Sequence, residues 1–209
     1  MPQIGRLELF EPVAVAEESN DNFLWTPIPR QVQTKIPRAS LRYWRWWSRD
    51  RPQLFLDMDG VLADTVQHVK NLFGVVSELE WNKLPWKQIQ KHPNFYGTQP
   101  LMKDTIDLWN GSLKFHPNPI VLTGIPRSMP QVLQQKREWI DKHFGKHVPM
   151  IGCESKDKHL FAHKYDILVD DRTKFIVEWE ISGGIYIVHK NAESSLSLLH
   201  TAYSKVMLG

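Results

Sequence analysis

Two aspartates separated by one residue, Asp57 and Asp59, stand directly after a short apolar stretch and before Gly60. Residues 53–56 are too few and too continuously apolar for an amphipathic helix, so they predict a buried strand that ends in a loop. Side chains of an extended chain alternate with a period of two, so both carboxylates can face one small volume. Two anions held that close repel each other unless a cation or a proton lies between them. The pattern favours a catalytic or metal site over two solvated turn residues.

Five short apolar stretches, separated by segments with helical spacing, predict a mainly parallel α/β sheet that is covered on both faces. The predicted strands cover residues 53–56, 119–122, 148–151, 166–171 and 185–188. The second strand leads into Thr123 and Gly124, and the fourth ends in the acidic pair Asp170 and Asp171. In an open parallel sheet, ligands bind beyond the carboxyl ends of the strands. We therefore expect these groups to meet the first acidic pair in one crevice.

The chemistry of these side chains indicates phosphoryl transfer. Four carboxylates in one crevice call for a divalent cation, and oxygen ligands without histidine or cysteine favour Mg²⁺ over Zn²⁺. The Thr123 hydroxyl, the backbone N–H groups near Gly124 and a lysine from residues 155–164 would suit a phosphate group. In phosphoryl transfer, positioning and charge neutralisation supply most of the catalysis.

The helices between the strands are predicted from apolar spacing and from their ends. Residues 101–109 predict a short helix, and residues 155–164 predict a lysine-rich one. Ser128 and Gln131 have the spacing of a capping box, and apolar residues then follow at helical spacing until Gly145.

Length and composition bound the class of protein. A chain of 209 residues can bury a sizeable core, and one domain with an insertion or a tail is expected. Cys153 is the only cysteine, so no intrachain disulfide can form and a reducing compartment is expected. No apolar stretch approaches the roughly 18 residues of a membrane span, and no export signal opens the sequence. We expect a soluble cytoplasmic protein without a membrane span, and the sequence leaves a homodimer open.

The sequence predicts three regions. Residues 1–51 form a proline-containing N-terminal extension, residues 52–64 and 101–209 the catalytic core, and residues 65–100 a helical cap inserted behind the first acidic pair. Aromatic residues of a cap can shield the chemistry from water and stack on a flat ligand, although core packing is the alternative for each. The candidates are Trp81, Trp86, Phe95 and Tyr96. Arg127 follows the second strand closely enough to contact the substrate, although a surface position without a role is the alternative.

The end of the extension, residues 41–51, is rich in tryptophan and arginine, whereas the net charge of the chain is only +3. Such a segment could stack on the bases of a nucleic acid and neutralise its phosphates. Alternatively, Trp44, Trp46 and Trp47 pack on the core or on another subunit, or the segment binds a membrane surface. The composition favours packing and leaves the other two interpretations open.

Four motifs resemble, in order and spacing, those of the haloacid dehalogenase (HAD) phosphohydrolases. They are Asp57-Met-Asp-Gly-Val, Thr123-Gly124, Lys158 and Asp170-Asp171. The chain is most similar to the 5'(3')-deoxyribonucleotidase branch, whose first motif is commonly written as residues 57–64 stand here. The resemblance covers about residues 52–190. It implies a Rossmann-like sheet of strand order 3-2-1-4-5 with a small helical cap, and a Mg²⁺-dependent 5'-nucleotidase that acts on nucleoside 5'-monophosphates.

The resemblance also implies a role for each acidic residue of the motifs. Asp57 would be the nucleophile that forms an aspartyl-phosphate, and Asp59 the acid and base that protonates the leaving oxygen and later activates water. Asp57, the backbone carbonyl of Asp59 and Asp170 would hold Mg²⁺. Asp171 would support the metal shell.

The remaining motif residues are implied to bind the phosphate. Thr123 and the Gly124 amide would bind the transferring phosphoryl group, and Lys158 would offset the charge of the nucleophile and the phosphate. Lys156 competes for this last role, but Lys158 has the spacing to Asp166 that is expected in the family.

One position departs from the branch. Many members place an aromatic residue directly after the first motif, where it helps to stack the nucleobase, whereas this chain has Thr65. The cap aromatics named above could substitute.

Two other functions are also open: a nucleic-acid end phosphatase guided by residues 41–51, and a non-catalytic binding or assembly module that uses the N-terminal extension.

Overall fold

The computed structural model describes residues 52–74 and 86–208. The predicted N-terminal extension with its tryptophan-rich segment, residues 1–51, lies outside the described residues, as does Trp81 of the predicted cap.

In the described part of the chain, five parallel strands form one sheet in the order β3-β2-β1-β4-β5. The strands are β1 (Leu54–Leu56), β2 (Ile120–Gly124), β3 (Met150–Cys153), β4 (Ile167–Asp170) and β5 (Ile185–Val188). The predicted α/β class, the parallel sheet and its Rossmann-like order are confirmed. Each predicted strand is present, with ends shifted by two residues at most.

Helices connect the strands. They are α1 (Thr65–Phe73), α2 (Trp86–Lys91), α3 (Thr105–Ser112), α4 (Val132–His143), a 3-10 helix (Ser155–Phe161), α5 (Ile176–Ile181) and α6 (Ala192–Leu208). None of these helices combines the length and the apolar character that crossing a membrane requires.

The helices cover both faces of the sheet, as predicted. α3, α4 and α6 pack on the face that carries Leu54 and Leu56, while α5 and the 3-10 helix pack on the face that carries Phe55. Phe55 meets Trp179 of α5 edge-on, with ring centroids 5.6 Å apart. Burial on both faces explains why β1 is continuously apolar, since each such side chain contributes about 1.5–3 kcal/mol when it is fully buried.

The region between β1 and α3 packs against the start of α4. α1 begins where the Asp64 carboxylate accepts a hydrogen bond from the Gln67 N–H, and it ends at Gly74 in the left-handed conformation, φ +64°. Val69 of α1 and Ile89 of α2 share an apolar cluster with Phe95, Tyr96, Met129 and Val132. The two described parts of this region therefore share a core with α4, directly beside the crevice at the strand ends.

Two predicted helices and one predicted helix start differ from the structure. α3 begins at Thr105 rather than at residue 101, because residues 100–102 pair with the loop after β1 through the bonds Asp64 N–H to Pro100 C=O and Met102 N–H to Leu62 C=O. The predicted lysine-rich helix is a shorter 3-10 helix.

The predicted capping box is wrong. Gln131 itself directly precedes α4, and its side chain makes no capping hydrogen bond. The helix is instead started by successive turns, in which the Met129 N–H bonds the Pro126 carbonyl and the Val132 N–H bonds the Met129 carbonyl.

Asp166 connects the start of β4 to the start of the neighbouring strand β1 by hydrogen bonds, and this contact gives a first testable prediction. Its buried carboxylate accepts hydrogen bonds from the Gln53 N–H at 2.8 Å and the His163 N–H at 3.0 Å. Asp166→Ala should lower the free energy of unfolding by about 2–4 kcal/mol, because two backbone donors lose their partner. Urea denaturation measures the change. The exposed Glu180→Ala is the control, expected within about 0.5 kcal/mol of the parent, and an unchanged Asp166→Ala protein would contradict the role.

Candidate active site

A tight loop after β1 presents the first acidic motif. The Met58 carbonyl accepts the N–H groups of Leu62 and Ala63, both at 2.8 Å, so the chain folds back on itself within a few residues. Gly60 has φ +80°, and a Cβ there would lie 2.3 Å from the Asp171 carboxylate oxygen Oδ2. Only glycine fits both the backbone conformation and this close approach.

Three carboxylates converge at the ends of β1 and β4. Asp57, Asp170 and Asp171 each offer one oxygen, and these oxygens all lie within 4.8 Å of one another. The predicted convergence of the two acidic motifs is therefore present, and Asp171, predicted to support the metal shell, lies in the same cluster as the predicted ligands. A set of hard oxygen donors with this spacing and this excess of negative charge fits a cation such as Mg²⁺.

Lys158 binds the carboxylate cluster from the 3-10 helix. Its ammonium lies 2.8 Å from Asp57 Oδ2 and 2.6 Å from Asp170 Oδ2, with only 3% of the residue exposed. Burial lowers the pKa of Lys158, but the two carboxylates outweigh burial, so the pKa lies above its ordinary value. The competing candidate Lys156 is exposed and lies 3.5 Å from Glu154 Oε2. The structure thus brings Lys158, and not Lys156, to the cluster.

The surroundings of Asp57 disfavour its charged form. Burial is the largest cause; Lys158 opposes it, and the carboxylates of Asp170, Asp59 and Asp171 add to it, so that together these groups raise the pKa of Asp57 to about 7. One lysine therefore does not balance the carboxylates that surround Asp57. A bound cation would supply the missing positive charge.

Lys136 of α4 is a residue of the site that the sequence interpretation missed. Fully buried, it donates hydrogen bonds to Asp59 Oδ2 at 2.5 Å, to the Thr123 hydroxyl at 2.7 Å and to the Gly124 carbonyl at 2.8 Å. The sequence held a signal for it, since Lys136 occupies a position of the apolar face of α4. A charge on a buried helix face needs a partner nearby.

A cavity of about 340 Å³ opens in front of these residues. Among the predicted site residues, it is lined by Asp57, Asp59, Gly124, Trp86, Tyr96 and Arg127. Thr123, Lys158 and Asp170 are buried beneath it and reach the lining residues through the contacts described above. Glu154, Ser155, Lys156 and Arg172 also line the cavity, and the sequence interpretation assigned no site role to them apart from the competing candidate Lys156.

The aromatic residues of the predicted cap differ in their access to the cavity. Trp86 is 38% exposed and lines the cavity, and Tyr96 is buried but still reaches it. Phe95 is 1% exposed, packs between His68 and Tyr96, and is not among the lining residues. Arg127, with a largely exposed side chain, forms an ion pair with Glu154 at the rim.

Known proteins are similar to this chain over part of its length. No family model matches the chain. A protein of Vibrio phage KVP40 with the provisional name 5'(3')-deoxyribonucleotidase is 30% identical over 127 residues, which cover 60% of this chain and 69% of that protein. Among solved structures, a HAD hydrolase of family IA, variant 3, from Entamoeba histolytica HM-1:IMSS matches with a TM-score of 0.38 and 14% identity, over 71% of this chain and 99% of that one.

The raised pKa of Asp57 predicts that Asp57→Asn stabilises the protein in metal-free buffer. The folded-state pKa lies near 7 and above that of an unfolded aspartate, so the stability contributed by this group is lost as pH rises through about 7. At pH 8 with EDTA, the variant should melt about 2–6 °C above the parent, and the difference should shrink toward pH 5. Circular dichroism melts measure both.

The exposed Asp107→Asn is the control and should melt with the parent at both pH values. Added MgCl₂ should raise the melting temperature of the parent more than that of Asp57→Asn, because a ligand stabilises the state that binds it. A variant that melts below the parent at pH 8 would contradict the electrostatic interpretation.

Proposed function

We propose that this chain, which belongs to the haloacid dehalogenase superfamily and within it to the 5'(3')-deoxyribonucleotidase branch, hydrolyses nucleoside 5'-monophosphates with the help of Mg²⁺. The observation that carries the proposal is the position of Asp57. It lines the cavity while its carboxylate is bound to Lys158, and Asp59 lines the same cavity two residues on.

Asp57 would act as the nucleophile. One of its carboxylate oxygens attacks the phosphorus, a P–O bond to Asp57 forms, and the bond from phosphorus to the leaving oxygen breaks. Asp59 donates its proton to that oxygen, which leaves as the alcohol. Asp59 then takes a proton from water, the water oxygen attacks the phosphorus, and the bond to Asp57 breaks to release inorganic phosphate.

The buried lysines would keep these two carboxylates in place. Lys158 holds Asp57 from one side, and Lys136 holds Asp59 from the other, at 2.8 Å and 2.5 Å. Asp57 and Asp170, with Asp171 beside them and the Asp59 carbonyl as a further predicted ligand, would hold Mg²⁺. When bound there, the ion would offset the negative charge of the nucleophile and the phosphoryl group.

Thr123 and Gly124 would bind the phosphoryl group at the end of β2. The Thr123 hydroxyl accepts a hydrogen bond from Lys136, so its own proton can point to a phosphate oxygen. Gly124 lines the cavity, and a Cβ at this position would lie 2.4 Å from the Ser155 hydroxyl, so a larger residue would fill the space in which the phosphate is expected.

The aromatic residues that line the cavity suit a leaving group with a flat ring. The Trp86 ring is partly exposed there, and Tyr96 reaches the same space, so both could contact a nucleobase. Arg127 also lines the cavity, where it could contact the sugar or the base. Deoxynucleotides are the preferred form in this proposal because of the branch to which the chain belongs.

A phosphate-release panel tests the function. It compares ribo- and deoxynucleoside 5'- and 3'-monophosphates, sugar phosphates and phosphorylated oligonucleotides in MgCl₂. We expect the highest kcat/KM for the nucleoside 5'-monophosphates and no turnover in EDTA. Asp57→Asn should lower kcat at least about a thousandfold, because the nucleophile is lost, while its far-UV spectrum stays that of the parent.

Asp107→Asn serves as the matched control and should keep the parental rate. Turnover by Asp57→Asn within about tenfold of the parent would remove Asp57 from the nucleophile role. A sugar phosphate or an oligonucleotide as the best substrate would instead overturn the nucleotide assignment and leave the phosphatase chemistry standing.

Lys136→Met should lower kcat by about a hundredfold with a smaller change in KM, because Asp59 and Thr123 lose the donor that orients them. Steady-state kinetics with the best nucleotide of the panel measures both constants. Lys142→Met, an exposed substitution on the same helix, is the control. Equal rates in the Lys136→Met and Lys142→Met proteins would show that Lys136 does not contribute to turnover.

A further inference from the structure

Asp59 is held on both of its carboxylate oxygens. Lys136 of α4 binds Oδ2 at 2.5 Å, and the hydroxyl of Thr65, the first residue of α1, lies 3.4 Å from Oδ1. Thr65 is the residue that stands where many members of the branch have an aromatic. It is only 1% exposed and does not line the cavity, so it offers no surface to a substrate.

Gln99 fixes the direction in which the Thr65 hydroxyl donates. The Gln99 Nε2 amide donates to Thr65 Oγ1 at 3.2 Å, and this leaves the hydroxyl proton for Asp59 Oδ1. Both residues are buried, so water does not compete for these bonds. Gln99 is itself held in place, because its backbone carbonyl accepts the indole N–H of the buried Trp139 at 2.7 Å.

Thr65 and Gln99 lie where the cap joins the core. Thr65 begins the segment that leaves the core, and Gln99 ends the segment that returns to it, directly before Pro100, whose carbonyl bonds the Asp64 N–H at 2.8 Å. A side chain from each of the two connections therefore contributes to a chain of hydrogen bonds that ends on Asp59.

We infer that Thr65 and Gln99 are positioning residues, which orient the Asp59 carboxyl group for transfer of its proton to the leaving oxygen. The inference rests on the proposed function. With Lys136 on one oxygen and Thr65 on the other, rotation of the carboxyl group about its Cβ–Cγ bond is restricted. Without the Thr65 hydroxyl, the Lys136 contact is the only side-chain hydrogen bond to Asp59 that remains within residues 52–74 and 86–208, and the orientation of Asp59 toward the substrate is no longer defined.

This role predicts a loss that depends on the leaving group. An alkoxide such as a nucleoside 5'-oxygen needs the proton of Asp59 as the P–O bond breaks, whereas 4-nitrophenolate leaves readily without it. The constant kcat/KM reports the steps up to the release of the alcohol, so it isolates the half-reaction in which Asp59 is the acid.

The test compares kcat/KM for a nucleoside 5'-monophosphate and for 4-nitrophenyl phosphate. Thr65→Val should lower kcat/KM for the nucleotide about ten- to a hundredfold and for 4-nitrophenyl phosphate less than about threefold, because misorientation affects only the proton-dependent step. Thr65→Ser keeps the hydroxyl and should restore the nucleotide value to within about threefold. Gln99→Met should show the same selectivity as Thr65→Val with a smaller loss.

Equal losses on both substrates in Thr65→Val, or parental rates on both, would overturn the inference. If Thr65→Val does not fold, Gln99→Met and Thr65→Ser decide: a selective nucleotide loss in the first together with parental values in the second supports the role, and any other combination overturns it. Failure of the proposed function gives a different result, since the parent protein itself would then not hydrolyse the nucleoside 5'-monophosphate.

Discussion

Repulsion among carboxylates at the ends of two neighbouring strands is the constraint on which the rest of the site depends. Asp57 and Asp170 come from adjacent strands and cannot move apart without breaking the sheet, because β1 and β4 are paired along their length. Two buried lysines from separate elements, Lys158 and Lys136, each bind a carboxylate and so offset part of the negative charge. The carboxylates that destabilise the metal-free protein are therefore the same groups that could take part in the reaction.

The parallel sheet makes this arrangement possible. Every strand of the sheet runs in the same direction, so the ends of β1, β2 and β4 present their polar groups at one edge. The two apolar clusters on either face hold the strands in register and leave that edge to the loops. The tight loop after β1 then places Asp59 within reach of Lys136 of α4.

Much of this could be predicted from local patterns. The strands are short and continuously apolar, and the acidic pairs follow them directly, so the parallel α/β class and the meeting of Asp57 with Asp170 could be inferred from the order of residues. The strand order was implied by the resemblance to the HAD family. Lys136 was missed although it occupies a position of the apolar face of α4, because the ammonium of a lysine on a helix usually reaches solvent. The bond between Gln99 and Thr65 joins residues 34 positions apart, and no local pattern contains it.

Lys136 has a consequence for how the sequence can change. Its ammonium has three N–H groups, and all three bind oxygens of the loop after β1 or the end of β2. The position of α4 is therefore tied to the ends of β1 and β2 through one side chain. Connections between a strand and a helix ordinarily tolerate insertions and deletions during evolution, but here a change in the length of residues 125–131 is tolerated only if it leaves Lys136 within reach of Asp59 and Thr123.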